Sequence, residues 1–352
     1  MITFEVCGTS HGDGYRGKIC GLPDGVKINV AAVDEQLRLR KCGYGRSARQ
    51  VNADHVEFVG AAGNDVVISG GNVEFFVPNA AINKEVRPDI TAVRPGHADL
   101  VGQARYKGLS ARDVAEIASA RSSVCYVVLG AICKQILDTY GIFTYSFVRK
   151  IGNVTARKTF VYGVDNMRDS FAELNCADEK ANEKMKAAID VARQNSNSLG
   201  GIVTVGATGV PMGLGEVFPY AKRLDSVIAA NLVGIPSVKG ISFGKGDKYA
   251  VLSGVDSADK LTVNDGKVVY ATNNCGGIVG GITTGKDIIC NLVVKAVPTV
   301  NGVQTIDTST LCPCLQQYER ADTCVVPQVG VIAQNILAYV LLDTILQQNF
   351  TE

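Results

Sequence analysis

Two long segments of the chain are apolar on nearly every side, and they limit the folds that the sequence can adopt. Residues 110–137 (SARDVAEIASARSSVCYVVLGAICKQIL) have helical periodicity and no proline, and their second half is apolar almost all round. Residues 329–348 (VGVIAQNILAYVLLDTILQQ) have the same character. Because a helix without a polar face lies inside a structure, we expect a central buried helix from the first segment and a final, largely buried helix from the second.

The rest of the chain alternates between strand-like runs and a few further helices. Strand patterns broken by Gly and Asn turns cover residues 55–77, and others cover GGIVTVGATGVP and KDIICNLVVKAVPTV. Helical patterns cover residues 34–41, 177–195 and 225–235. Since these elements follow each other without regular βαβ spacing, the pattern favours an α+β fold over a doubly wound sheet. No Pro/Ser-rich linker or charge block divides the chain, so we predict one domain over residues 1–352.

Net charge and cysteine usage argue against several classes of function. The net charge of +1 gives no global attraction to nucleic acid or to a membrane, and no unbroken apolar run reaches the ~18 residues of a membrane helix. The 11 cysteines are odd in number, lie mostly in apolar runs and follow no secretory signal. We therefore expect buried, reduced thiols in a cytoplasmic protein. We expect no metal site, since the spacing of Cys312 and Cys314 differs from that of zinc ligands.

A loop rich in glycine and arginine follows the first helical pattern. The segment RLRKCGYGRSAR carries five cations, namely Arg38, Arg40, Lys41, Arg46 and Arg49. A solvated basic face is the plain alternative for such a run. The glycines, however, free the backbone to curl around an anion, and the planar fork of arginine matches phosphate and carboxylate groups. We expect a small, multiply anionic metabolite here, because nucleic acid binding would spread the charge over a face with aromatic side chains.

Two of the three histidines lie in loops bounded by glycine. His11 lies in EVCGTSHGDGYRG and His97 in VRPGHADLVGQARY, whereas His55 lies at a predicted strand edge. Imidazole titrates near neutrality, so a loop histidine can protonate a leaving group or stabilise an anionic cofactor. A structural hydrogen bond is the alternative for a lone histidine beside a turn. Two such loops together with the arginine loop favour a proton-transfer site, and we interpret His55 as structural.

A second glycine-rich stretch, NNCGGIVGGITTGKD at residues 273–287, precedes a predicted strand. It fits neither a P-loop nor a dinucleotide fingerprint, so it indicates only a loop that lies close to a ligand. Lys295 and Thr299, in VKAVPTV, are candidate phosphate contacts. Arg320 and Asp322 lie just before the last helix, where a surface ion pair is the alternative to a functional role.

Taken together, these motifs resemble the chorismate synthase family. The matching stretches are GTSHG, RKCGYGRSAR, RPGHADLVG, ASAR, NSLGG, GVPMGLGE, IPSVKGISFG, NNCGGIVGGITTG, KAVPT and ERADTCVVP, in the family's order. The resemblance implies a sandwich with a helical layer between antiparallel β-sheets, assembled as a homotetramer. It also implies a lyase of the shikimate pathway, which leads to the aromatic amino acids. The implied reaction is the 1,4-anti elimination of phosphate from 5-enolpyruvylshikimate 3-phosphate, which gives chorismate.

The same resemblance implies reduced FMN as the cofactor of a reaction without net redox change, with NADPH as a candidate reductant. On this interpretation His11 protonates the leaving phosphate, His97 stabilises or protonates the anionic reduced flavin near N1, and Asp322 assists proton removal near N5. The residues implied to bind the substrate are Ser10, Arg40, Arg46 and Arg49. Those implied to contact FMN are Ala118, Ser119, Pro236, Ser237, Gly280, Lys295, Ala296, Val297, Pro298, Thr299 and Arg320.

The sequence departs from the family pattern at several places. Ile117 stands where the family has arginine, and Ser122 and Ser123 replace Glu and Thr. Asn197 replaces Asp, and Ala321 replaces Ser. Because none of the implied proton-transfer residues is missing, we predict an active enzyme with weaker flavin binding. The alternatives are a non-catalytic paralogue that binds flavin or an anionic metabolite, and a flavin oxidoreductase.

Overall fold

The computed structural model describes residues 1–47, 54–61, 63–79, 88–157, 173–316 and 321–348. Its helices are α1 (Val30–Lys41), α2 (Asp99–Arg105), α3 (Ala111–Ile117), α4 (Ser123–Asp138), α5 (Glu179–Gln194), α6 (Leu224–Val233), α7 (Gly254–Ser257) and α8 (Val326–Gln348). Its strands are β1 (Thr3–Gly8), β2 (Gly14–Cys20), β3 (Lys27–Asn29), β4 (Glu57–Phe58), β5 (Asp65–Val67), β6 (Asn72–Pro78), β7 (Phe143–Ile151), β8 (Val154–Thr155), β9 (Gly201–Thr208), β10 (Met212–Gly215), β11 (Val238–Phe243), β12 (Leu261–Asn264), β13 (Lys267–Tyr270), β14 (Ile278–Val279), β15 (Ile282–Thr284), β16 (Ile288–Val294), β17 (Gln304–Asp307) and β18 (Cys312–Leu315).

Two antiparallel sheets lie on the two sides of a helical pair. One sheet has the strand order β1-β2-β6-β4, and the other has the order β11-β16-β9-β7-β8. Helices α4 and α8 pack against each other; α4 also contacts β2 of the first sheet, and α8 contacts β7 and β9 of the second. The combination of helices with antiparallel sheets confirms the α+β prediction, and the helical layer lies where the resemblance implied.

Both apolar segments form core helices, but the first is interrupted. The predicted helix over residues 110–137 is wrong in its middle, because α3 ends at Ile117 and α4 begins only at Ser123. A 3-10 turn fills the gap, and the Ser119 side chain caps it by accepting a hydrogen bond from the backbone N–H of Arg121 at 3.3 Å. Serine competes well for such local bonds outside a helix interior. The bend turns the residues after α3 into a loop instead of a helix face.

Length and hydropathy alone would allow two segments to cross a membrane, namely Ala111–Asp138 and Val326–Gln348. These windows include polar residues, so they differ from the unbroken apolar run that the sequence lacks. In the structure, however, 56% and 78% of their most apolar windows are buried inside the protein. Burial of this kind is what the core helices of a folded domain show.

The cysteines are less buried than expected. All 11 are free, and five of them are buried: Cys125, Cys133, Cys176, Cys290 and Cys324. The other six are exposed or intermediate, so the expectation of buried thiols holds only in part. Cys7 is an example, because it lies in β1, where five of the six residues are exposed.

Two glycines set how closely the central helices pack. A Cβ added at Gly130 in α4 would overlap the backbone carbonyl of Asn335 in α8. A Cβ added at Gly330 in α8 would lie 2.9 Å from Cγ2 of Val203 in β9 and 3.0 Å from Oγ of Ser146 in β7. A side chain at either position would therefore push α8 away from its neighbour, since close-packed interiors cannot absorb an extra methyl group.

We predict that Gly130→Ala lowers the free energy of unfolding by about 1–3 kcal/mol. Because the added Cβ meets backbone atoms of Asn335, we expect overpacking to cost about 2–4 kcal/mol, and the gain in helix propensity of about 1 kcal/mol leaves this net loss. The matched control is Gly254→Ala in α7, where an added Cβ meets no atom within 4 Å. Urea unfolding of both variants gives the comparison, and equal stabilities would contradict the close approach of α4 and α8.

Candidate active site

The loop that carries His11 joins β1 to β2 and lies against the end of α3. Nδ1 of the half-buried His11 is 3.2 Å from Oε1 of Glu116 and 3.1 Å from Oγ of Ser10. The loop is held by Asn79, whose side-chain amide donates to the backbone carbonyl of Gly12 at 2.9 Å. The imidazole is therefore fixed by contacts from a helix end and from the end of β6.

Arg40 lies in a buried ionic cluster and not on a solvent-exposed basic face. Its side chain is 3% exposed, with Nη1 3.4 Å from Oδ2 of Asp54 and Nε donating to Oγ of Ser123 at 3.0 Å. Asp54 is 1% exposed and also binds Nζ of Lys41 at 2.8 Å and Nη1 of Arg121 at 2.6 Å. One buried carboxylate thus holds three cations, which we call the Asp54 cluster.

Burial decides the electrostatics of the Asp54 cluster. Desolvation lowers the pKa of Arg40 to about 9, although the charge of Asp54 opposes this shift. Burial by itself raises the pKa of Asp54, but hydrogen bonds from Arg121 and Lys41 outweigh it and hold that pKa below its ordinary value. Three cations around one ionised carboxylate leave a positive field that favours an anionic ligand.

The Asp54 cluster is fastened to the His11 loop. Nε of Arg121 donates to the side-chain carbonyl of Asn79 at 3.1 Å. The amide group of the same Asn79 holds the loop backbone around His11. A single asparagine therefore places the first loop histidine next to the buried cations.

A second ion pair joins the arginine loop to the segment before α8. Nη1 of Arg46 lies 2.8 Å from Oδ2 of Asp322, and the backbone N–H of Ser47 donates to Oδ1 of Asp322 at 2.7 Å. Arg46 also contacts Oε1 of Gln328. Burial lowers the pKa of Arg46, and the charge of Asp322 opposes it. Within the described residues, Nε of Arg46 is buried without a hydrogen-bond partner, so the guanidinium retains an unused donor.

His97 belongs to a third group of charges. Its Nδ1 lies 2.6 Å from Oδ1 of Asp99, a side chain with 0% exposure, and Nε of Arg94 lies 2.7 Å from Oδ2 of the same carboxylate. Nη1 of Arg94 reaches Oγ1 of Thr299 at 3.5 Å, and Nζ of Lys295 donates to the backbone of the histidine loop at 2.5 Å. The loop of His97 therefore contacts the candidate phosphate-binding segment.

The other residues implied to contact FMN lie in three places. Ser237, which has φ +75°, accepts a hydrogen bond from the backbone N–H of Lys295 at 2.8 Å, so the chain before β11 contacts the chain after β16. Ala118 and Ser119 lie in the bend between α3 and α4. Gly280 lies in the turn between β14 and β15, and no hydrogen bond in the described structure joins it to the histidine loops. The remaining residues lie in the two chain segments that meet before β11 and after β16, and they are Pro236, Ala296, Val297, Pro298 and Thr299.

Arg49, Arg320 and His55 were also named from the sequence. Arg49 and Arg320 fall outside the described residues. The side chain of His55 is 62% exposed, and its Nδ1 lies 2.6 Å from Oδ2 of Asp34 in α1. The structural role of His55 stays a prediction.

Several charged residues of the site were missed in the sequence. Arg94 and Asp99 flank His97 in the stretch VRPGHAD, and Arg121 ends ASAR, so motif membership was an available signal for all three. Asp54 and Glu116 had no local signal, because the partners that give them a role are distant in the chain.

Comparison with known proteins covers this site and the fold around it. The family profile described as chorismate synthase matches residues 2–346. The chain belongs to the chorismate synthase family. The chorismate synthase of Exiguobacterium sp. is 34% identical over 96% of this chain and 92% of the relative, and that of Caldicellulosiruptor bescii is 34% identical over 99% and 95%. A crystal structure of a chorismate synthase superposes with a TM-score of 0.78 at 26% identity, covering 99% of this chain and 92% of the other.

Three of the departures from the chorismate synthase pattern lie at the bend between α3 and α4. Ser123, in place of threonine, keeps a hydroxyl that accepts from Nε of Arg40. Ser122 donates to the backbone carbonyl of Ser119 at 3.1 Å and so supports the bend. Ile117 is 52% exposed at the end of α3, directly after Glu116. The substitutions therefore leave the Asp54 cluster and the His11 contact in place.

We predict that Asp54→Asn lowers the free energy of unfolding by about 3–5 kcal/mol, because it leaves buried cations without their carboxylate. The folded pKa of Asp54 lies below its ordinary value, so this contribution is present at neutral pH and is lost only as the pH falls below about 4. Urea unfolding at pH 7 measures the loss. Asp65→Asn is the control, since its pair with Lys27 at 2.7 Å is solvent-exposed and worth at most about 1 kcal/mol. Equal losses of unfolding free energy in the two variants would show that the buried cluster stabilises the fold no more than an exposed ion pair does.

Proposed function

We propose that this chain is a chorismate synthase, which eliminates phosphate from 5-enolpyruvylshikimate 3-phosphate in a 1,4-anti manner to give chorismate. The observation that carries the proposal is the link from the His11 loop through Asn79 to Arg121 and the Asp54 cluster. It places a potential proton donor beside desolvated cations, which is what the departure of an anionic leaving group requires. Membership of the family over nearly the whole chain supports the same reaction.

The substrate carries a phosphate and carboxylates, and the cations of the site can bind both kinds of anionic group. Arg46, which has an unused donor, binds these groups together with Arg49, which lies outside the described residues, and the buried Arg40 acts on them through its charge. The burial of Arg40 and Arg46 strengthens each interaction, because charges attract more strongly where water is excluded. His11 protonates the leaving phosphate oxygen, and Glu116 orients its imidazole at 3.2 Å. Ser10 provides a hydroxyl beside the same ring at 3.1 Å.

The region around His97 fits a phosphate-bearing, anionic cofactor. Burial lowers the pKa of Lys295, and the neighbouring charge of Lys239 lowers it further. Two cations that repel each other are stabilised by an anion between them, and Thr299 offers a hydroxyl nearby. Reduced FMN, when bound here, supplies electron density to the reacting substrate. His97 holds positive charge or a proton at this cofactor's edge, and Asp322 assists removal of the C6 proton.

Three further points rest on the family resemblance. We propose that the protein works in the cytoplasm, that it assembles as a homotetramer, and that NADPH serves as the reductant for FMN. We also propose that residues 1–352 act as one domain, which is supported by a single cluster of buried apolar side chains running from Ile2 to Ile345.

The non-catalytic alternative has no support from the comparisons, in which the relatives reported above are named as the enzyme. The bend residues that suggested it preserve their polar contacts, as Ser123 does with Arg40. An anaerobic assay with 5-enolpyruvylshikimate 3-phosphate and chemically reduced FMN tests the proposal. Equal release of phosphate and chorismate is the expected result. Binding of FMN without any chorismate would establish the non-catalytic alternative instead.

We predict that His11→Ala and His97→Ala each lower kcat by about 10- to 10³-fold while the protein stays folded. Loss of one proton-transferring group costs about this much when neighbouring groups cover part of its role. The control is His55→Ala, which removes an exposed imidazole and is expected to leave kcat within about 2-fold of the wild type. Similar losses at all three histidines, in the same elimination assay, would show that the roles are misassigned.

Ile117 stands where the family has arginine, so the contact of that arginine can be restored by substitution. Because this side chain is 52% exposed, an arginine there keeps its solvation and adds no buried charge. We predict that Ile117→Arg tightens reduced FMN by about 10- to 100-fold, which corresponds to one charge-assisted hydrogen bond of about 1.5–3 kcal/mol, without lowering the melting temperature. Val191→Arg in α5 is the control, since Val191 is 57% exposed on a different helix. Equal FMN affinity in the two variants would contradict a lost contact at residue 117.

A further inference from the structure

The chain contains two histidine–aspartate contacts of equal length but unequal burial. Nδ1 of His97 lies 2.6 Å from Oδ1 of Asp99, and Nδ1 of His55 lies 2.6 Å from Oδ2 of Asp34. Asp99 has 0% exposure, whereas Asp34 is half-buried beside a well-exposed imidazole. The buried contact lies in the loop that meets Lys295, whereas the exposed contact joins the residue after Asp54 to α1.

Asp99 is enclosed by hydrogen-bond donors. Oδ2 accepts from Nε of Arg94 at 2.7 Å and from the backbone N–H of Arg94 at 3.1 Å, and Oδ1 accepts from Nη2 of Arg94 at 2.8 Å. Burial by itself raises the pKa of Asp99, but these bonds and the contact with His97 hold that pKa well below its ordinary value. The carboxylate is therefore ionised at neutral pH and can only accept hydrogen bonds.

The distances decide which nitrogen of His97 carries a proton. A contact of 2.6 Å between an imidazole nitrogen and an ionised carboxylate needs a hydrogen between them, and only Nδ1 can supply it. Nη2 of Arg94 lies farther from Nδ1, at 3.2 Å, and already donates to Asp99. In the part of the chain that the structure describes, no hydrogen bond involves Nε2 of His97.

We propose that Asp99 is a positioning residue that holds His97 in the form protonated on Nδ1, so that Nε2 is the nitrogen that contacts the ligand and exchanges a proton. Asp99 and Arg94 contact the ring, and Lys295 contacts the backbone carbonyl of the preceding Gly96. Arg94 extends the arrangement to Oγ1 of Thr299, so the same carboxylate fixes the ring relative to the segment implied to bind FMN. The role in turnover rests on the proposed function, whereas the proton on Nδ1 does not.

Nitrogen NMR of the histidine side chains tests the proton position in the ligand-free protein. The chain has only three histidines, so His97→Gln assigns the signals of His97 by their disappearance. The spectrum is recorded at about pH 8.5, two units above the ordinary pKa of imidazole, which is about 6.5. A protonated Nδ1 is the expected result, whether or not Nε2 is also protonated. An unprotonated Nδ1 with a protonated Nε2 would overturn the proposal.

Asp99→Asn tests the consequence for turnover. Its amide NH₂ can donate to Nδ1, so the ring is expected to switch to the form protonated on Nε2, and kcat to fall by about 10²-fold or more. KM for 5-enolpyruvylshikimate 3-phosphate is expected to change by less than about 3-fold, because substrate binding depends on other residues. Asp99→Glu keeps a carboxylate and is expected to recover the Nδ1 proton and part of kcat.

The control for this variant is Asp34→Asn, which removes a contact of the same 2.6 Å length at His55 and is expected to leave kcat and KM unchanged. A folded Asp99→Asn protein with wild-type kcat would overturn the positioning role. If Asp99→Asn fails to fold, the wild-type spectrum and the Asp99→Glu variant decide the question. A wild-type protein without elimination activity would refute the proposed function, and its spectrum would still show which nitrogen of His97 is protonated.

Discussion

The buried carboxylate of Asp54 is the interaction on which the rest of the site depends. It binds Arg40 and Lys41 at the end of α1 and Arg121 in the bend before α4. Arg121 in turn holds Asn79 at the end of β6, which holds the His11 loop. Three cations cannot remain buried together without such a partner, because desolvation and mutual repulsion both act against them. One negative charge thereby joins a helix, a bend, a strand end and the His11 loop.

The same device recurs in the other parts of the site. Asp322 binds Arg46 at 2.8 Å, Asp99 binds Arg94 and His97, and Glu116 lies 3.2 Å from a ring nitrogen of His11. In each case a carboxylate fixes the orientation of a group that a ligand would otherwise have to order. Groups held in place before binding lose less entropy when the ligand arrives. The site therefore has ordered positive charge and two oriented imidazoles before any ligand is bound.

Local patterns in the sequence predicted the core helices and the fold class, but not the way in which the chain is assembled. The apolar period identified α4 and α8, whereas the bend at Ser119 was missed because side-chain capping competes with helix propensity over only a few residues. The order β11-β16-β9-β7-β8 pairs strands that are far apart in the sequence, and no local signal determines such pairing.

The candidate site was predictable to a similar extent. The arginine loop, His11 and His97 were singled out by their residue types and glycine neighbours. The burial of Arg40 was not foreseen, because charge runs are usually solvated and its partner Asp54 lies beyond the loop. Glu116 likewise gains its role only through its contact with His11, which lies in the distant loop between β1 and β2. The spacing of residues in the sequence does not reveal a partner that is remote in the chain. The carboxylates of the site could therefore be identified only from the fold.

We propose that the carboxylate-fixed cations form a site for an anionic reduced flavin and an anionic substrate. Anaerobic titration of the protein with FMN, in the oxidised and reduced states and with and without 5-enolpyruvylshikimate 3-phosphate, measures this directly. We expect tighter binding of reduced than of oxidised FMN, and tighter binding still when the substrate is present. The absence of FMN binding in both redox states, with or without substrate, would contradict it.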